Sequence, residues 1–145
     1  IGKPFLRKTA LIAIAAVFGV IAVGCGSGSP VQTVSSQVER GRTLYTQSCQ
    51  TCHGDAATGV GANLGVPPHS PEGHTWHHAY GQLVDLILGR LTYPDRAMPS
   101  FEGQVSEQDV LDILAYFKTN WPEEQKAFQA EASKNWEDMY GPVSP

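Results

Sequence analysis

QVERGRTLYTQSCQTCHG, residues 37–54, is the stretch that decides the fold. Val38, Gly41, Leu44 and Tyr45 recur at helical spacing, which predicts a first helix from about Gln37 to Cys49. The helix runs straight into Cys49-Gln50-Thr51-Cys52-His53, two thiols three residues apart with an imidazole next in line. A disulfide framework wants an even number of cysteines at wide spacing. This chain has three: this close pair, and Cys25 at the end of an apolar run. It is not a stapled miniprotein.

C-x-x-C-H is a c-type haem attachment sequence. Two thiols one turn apart reach the two vinyl-derived carbons of one porphyrin edge as thioethers, and the following imidazole then points at the iron. Two other uses of the pair fit less well. A thioredoxin-like redox motif needs a βαβ context that the sequence lacks. A structural zinc site needs four ligands, for which His74, His77 and His78 are the available supply. A six-coordinate haem iron needs a second axial ligand, and the chain has two methionines. Met98 lies in the loop segment Ala97-Met98-Pro99-Ser100-Phe101, where proline keeps the chain out of a helix and lets the loop hold a thioether against iron. Met139 sits in a charged C-terminal segment and reads as a packing or surface residue. The axial pair is therefore His53 and Met98, with Cys49 and Cys52 as the covalent attachment points of one haem c.

Working outward, a Gly/Pro/His-rich stretch from Gly54 to His74 has no period and reads as loop. A short helix is expected from about Ala79 to Gly89, then a second loop from Leu91 to Gly103. Ser106 stands as an N-cap with Asp109 three residues on, opening a helix whose apolar face is Val110, Ile113, Leu114 and Phe117. Pro122 permits a break, and residues 123–139 form one more charged helix. No alternating strand pattern competes, so the folded part is all-α.

The N-terminus is of another kind. Lys3, Arg7 and Lys8 precede an uncharged apolar run at residues 10–25. A sixteen-residue helix of ~24 Å falls short of a ~30 Å hydrocarbon core, yet slightly exceeds a secretory-signal core. The basic leader predicts that everything after Cys25 is exported. Ala22-Val23-Gly24-Cys25 resembles the lipobox of bacterial lipoproteins, although Ala22 stands where Leu is preferred, which makes Cys25 the expected lipid attachment point. The domain plan is an anchor or signal segment at 1–25, a flexible linker at 26–36, the folded domain at 37–122, and a helical extension and tail at 123–145. Residues 26–145 hold seven of the ten Lys/Arg and all fourteen Asp/Glu, a formal charge of about −7. Nucleic-acid binding relies on clustered basic side chains. This balance excludes it.

Over roughly residues 37–122 the chain resembles the monohaem class I cytochromes c. The matching pieces are Gly41-x-x-Leu44-Tyr45, Cys49 to Gly54, Met98-Pro99-x-Phe101 and Leu114 to Lys118. The segments Gly73 to His78 and Trp121 to Glu124 also resemble a bacterial subgroup of anchored monohaem cytochromes. The resemblance implies a class I cytochrome c fold whose first and last helices cross at Gly41 against Tyr116 or Phe117. It also implies a hydrogen bond from the axial imidazole to a proline carbonyl, that of Pro67 or Pro68. Trp76, within the histidine-rich loop, is a further candidate for the haem pocket. The function implied is electron transfer, as a membrane-held subunit working with a quinol-oxidising complex, a terminal oxidase or a soluble redox carrier. An alternative complex III is the leading assembly. The competing classes are a haem enzyme or ligand sensor with a displaceable Met98, and a zinc-stabilised anchor subunit. His69, His74, His77 and His78 form a cluster that reads either as a second metal or proton-linked site or as a polar loop.

Overall fold

The computed structural model describes residues 33–143. The apolar run, Cys25 and most of the linker lie outside the described residues. Five α-helices follow one another: α1 (Val34–Ser48), α2 (Gln50–His53), α3 (Tyr80–Leu88), α4 (Glu107–Lys118) and α5 (Glu123–Tyr140). A single 3-10 turn at Thr75–His77 precedes α3. No strand occurs among the described residues; one isolated bridge joins Glu102 and Val105. The all-α class I cytochrome c reading holds. Among the described residues, no helix is long and apolar enough to cross a membrane.

Local chemistry sets the helix ends. α1 starts three residues before the expected Gln37 because the Thr33 side chain accepts from the Ser36 amide and caps it. At α4 the reciprocal capping box forms: Ser106 Oγ accepts from the Asp109 amide at 3.1 Å, and the Asp109 carboxylate accepts from the Ser106 amide at 2.9 Å. α3 ends at Gly89, which takes the left-handed conformation at φ 81°. α5 begins after Pro122 with Glu123 and Glu124 in its first turn, where carboxylates favour the positive end of the helix dipole.

The α1–α4 crossing is the most extensive helix contact in the fold. Its closest point is Gly41, where an added Cβ would lie 1.9 Å from the Asp112 carbonyl oxygen and 2.9 Å from the Ile113 nitrogen. The nearest atoms are thus those of the α4 backbone, ahead of the expected Tyr116 or Phe117. The glycine admits the main chain of α4 itself, and the aromatic contact falls one turn further on, where Phe117 meets Tyr45 edge-to-face at 5.1 Å. Beside the crossing, Arg40 pairs with the fully buried Asp112 carboxylate, which also accepts from Gln108 Nε2 at 2.8 Å. Tyr45, Leu83, Val84, Leu88, Val110, Ile113, Leu114, Phe117 and Trp121 form one continuous core. α5 closes one side of it. Buried Gln129 donates to the His78 carbonyl at 3.1 Å, and Ser133 Oγ accepts from the Tyr80 amide at 3.0 Å, tying α5 to the start of α3.

Candidate haem site

The thiol pair sits at the junction of α1 and α2. The Cys49 carbonyl accepts from both the Cys52 amide (3.1 Å) and the His53 amide (3.0 Å), so one tight turn sets both thiols and the imidazole. Cys49 is partly buried and Cys52 exposed, and no disulfide joins them. Burial first, then the neighbouring Cys52, pushes the Cys49 thiol up to about 11. Behind the pair, Tyr45 donates its hydroxyl to the Gly54 carbonyl at 2.6 Å, and burial raises its phenol well above the ordinary range.

His53 is 8% exposed, and its Nδ1–H donates to the Pro67 carbonyl at 2.8 Å. Geometry thus chooses Pro67 over Pro68, whose ring instead packs toward Gly59. This bond fixes the ring and its tautomer, leaving the Nε2 lone pair as the free donor.

The histidine cluster divides. His69 turns inward, with its ring stacked between His53 (centroids 4.3 Å apart) and Phe117 (4.4 Å). Its Nδ1 shares a hydrogen bond with Thr75 Oγ1 at 2.7 Å, and its carbonyl accepts from the Trp121 indole at 2.8 Å. Burial first, then His53 and His74, pushes its imidazole down to about 3, so it stays neutral in the wall of the site. His74, His77 and His78 stay at the 3-10 turn, bonded locally or to Gln82. Among the described residues, no group of three or more His, Cys, Asp and Glu side chains is placed to hold a metal ion. The zinc reading therefore finds no second ligand pair. Trp76 stacks on His77 at 3.5 Å and meets Phe128 of α5 edge-on, while the tryptophan buried next to His69 is Trp121, 3% exposed.

Met98 is partly buried in the loop between α3 and α4, and Met139 is 67% exposed on α5. Sequence reasoning missed what holds the Met98 loop. The Arg96 guanidinium donates to four carbonyl oxygens: Leu86 (2.6 Å), Met98 (2.8 Å), Pro99 (3.0 Å) and Leu91 (3.1 Å). Ser100 Oγ donates to the Leu88 carbonyl at 2.6 Å, and the Phe101 amide to the Ile87 carbonyl at 3.1 Å.

Residues 36–117 match the family model described as cytochrome c oxidase, cbb3-type, subunit III. The chain belongs to this cytochrome c family. It is 31% identical over 93 residues to a cytochrome c-553-like protein of Synechocystis, covering 63% of this chain and 76% of that one. It is 28% identical over 82 residues to cytochrome c6 of Bumilleriopsis filiformis, covering 56% of this chain and 88% of that one. A shorter match, 37% over 49 residues, reaches photosystem II extrinsic protein V of Gracilaria tenuistipitata, covering 34% of this chain and 30% of the relative. No solved structure matches the chain. As a monohaem class I cytochrome c, the protein is an electron carrier rather than an enzyme, with one covalently bound haem c. The donor set fits that group: two thiols on one turn, and an imidazole whose Nδ1 proton is already committed to a carbonyl.

Proposed function

We propose that Cys49 and Cys52 form the two thioethers, that His53 and Met98 are the axial ligands, and that the cytochrome domain spans residues 37–122. The observation that carries this reading is the His53–Pro67 hydrogen bond, which fixes the imidazole ring through Nδ1 and leaves Nε2 as the nitrogen available for ligation. The haem, when bound, supplies a one-electron iron couple whose potential is raised by His/Met ligation. The protein's own part is positional. Pro67 orients His53, His69 and Phe117 wall the site against water, and the Met98 loop brings a soft sulfur where an open position would otherwise admit small ligands. The test is Met98→Ala, with Met139→Ala beside it. Met98→Ala is expected to remove the Met–iron charge-transfer band of the oxidised protein, lower the potential and permit carbon monoxide binding. Met139→Ala is expected to change none of these, and a spectral change in Met139→Ala alone would overturn the assignment.

We further propose that residues 1–25 hold the domain at the exported face of a bacterial membrane, with Cys25 as the lipid attachment point and residues 26–36 as a tether. The domain then serves as a subunit of a respiratory or photosynthetic electron-transport complex. The basic leader and apolar run support the anchor. The family description mentions an oxidase, and one relative's name mentions photosystem II. Among such assemblies an alternative complex III remains the leading candidate, on resemblance. The acidic domain favours a basic docking face, so exchange with a soluble partner slows as salt screens the attraction. A protein beginning at Ser29 is expected to fold, bind haem and undergo redox change, yet leave the membrane and sustain slower electron flow. Tight membrane binding of that protein in high salt, with full flux, would refute the anchor.

A further inference from the structure

We infer that Arg96 is a positioning residue for the axial sulfur, acting by hanging the Met98 loop from the C-terminus of α3; this rests on the reading of Met98 as ligand. The last carbonyls of a helix have no partner within it and must find one elsewhere. In α3 three successive ones, those of Leu86, Ile87 and Leu88, accept in turn from Arg96, the Phe101 amide and Ser100 Oγ. All three donors come from the six residues 96–101, which contain Met98. Arg96 also bonds the carbonyls of Met98 and Pro99 themselves, so a single planar fork joins the sulfur-bearing segment to the helix end. The four hydrogen-bond partners of Arg96 are main-chain carbonyls. The carboxylates of Asp85, Glu102 and Glu107 gather instead around Arg90.

Gly89 shows how closely the two pieces approach. A Cβ there would lie 2.5 Å from Ser100 Oγ and 2.6 Å from Ser100 Cβ, at a φ of 81° that disfavours a side chain. The loop is therefore seated on the helix terminus rather than merely adjacent to it. An axial methionine dissociates when its loop opens locally, and the frequency of that opening depends on the bonds that must break first. Arg96 supplies four of the bonds on this loop.

The experiment is imidazole uptake by the ferric holoprotein, read at saturating imidazole, where release of the methionine limits the rate. Arg96→Gln is expected to raise that limiting rate on the order of tenfold to a hundredfold, the effect of removing charge-assisted bonds from one local opening step. Arg96→Lys keeps the charge but not the fork and is expected to behave nearly like Arg96→Gln. Ser100→Ala, which loses one tether, is expected to move the rate in the same direction by less. Arg42→Gln, at an exposed arginine of α1 paired with Glu39, is expected to leave it unchanged. A limiting rate within twofold of native in Arg96→Gln would overturn the inference. Should Arg96→Gln yield no holoprotein, native rates in both Arg96→Lys and Ser100→Ala would overturn it equally. Met98→Ala separates the two levels of the argument. If it keeps the charge-transfer band, the ligand assignment fails and this inference falls with it. If it loses the band while the Arg96 variants keep native rates, only the role of Arg96 fails.

Discussion

Replacing Gly41 by alanine adds one methyl group at the point where two helices touch main chain to main chain. The new Cβ would lie 1.9 Å from the Asp112 carbonyl oxygen, against the ~3.4 Å of an ordinary contact, so α1 and α4 must part by about 1.5 Å. Both partners at the crossing are helix backbone, and no side chain can rotate out of the way. Separation on that scale loosens the Tyr45–Phe117 contact one turn along and the Arg40–Asp112 pair one residue away. Overpacking alone costs about 1–3 kcal/mol. The upper end applies because the clash is rigid, and the weakened ion pair adds to it. Alanine's better helix propensity returns up to about 1 kcal/mol. The expected net loss is about 3 kcal/mol, a large part of the ~5–15 kcal/mol that keeps a domain folded. The assay is guanidinium unfolding of the ferric holoprotein followed by tryptophan fluorescence. Thr43→Ala, on the exposed face of the same helix, isolates the propensity effect and is expected to be neutral or slightly stabilising. A loss under 1 kcal/mol for Gly41→Ala would refute the reasoning, because it would mean that the helices do not meet at this glycine.

Two other perturbations follow from the same geometry. Arg40→Ala strips the partner from a fully buried Asp112 carboxylate and is expected to cost about 3 kcal/mol, whereas Arg40→Leu with Asp112→Leu recovers most of the loss, both read by the same unfolding assay. Cys52→Ala removes an exposed thiol, so the apoprotein's helical circular dichroism is expected to stay unchanged while the yield of haem-loaded protein falls sharply; an unchanged yield would remove Cys52 from the attachment site.

What the sequence made legible has a physical pattern. Side chains that act through their own chemistry could be read: the Ser106–Asp109 capping box and the periodic apolar face of α4. Residues whose partners are backbone atoms were ambiguous or invisible. Pro67 and Pro68 each offer a carbonyl, and only the folded loop shows which one meets His53. Gly41 announces a close approach but not that the nearest atoms are the main chain of α4, which carries no sequence signal. Arg96 escaped notice for the same reason: its four partners are carbonyls that any residues would supply. His69 read as one of four loop histidines, and its inward turn depends on Phe117, which is 48 positions away in the sequence.

The most direct test of the central claim is the mass of the proteolytic peptide carrying residues 49–53, taken from purified protein after denaturation and exposure to a thiol-alkylating reagent. The account predicts one haem added to that peptide, with neither Cys49 nor Cys52 alkylated. A peptide without haem and with both thiols alkylated would contradict it.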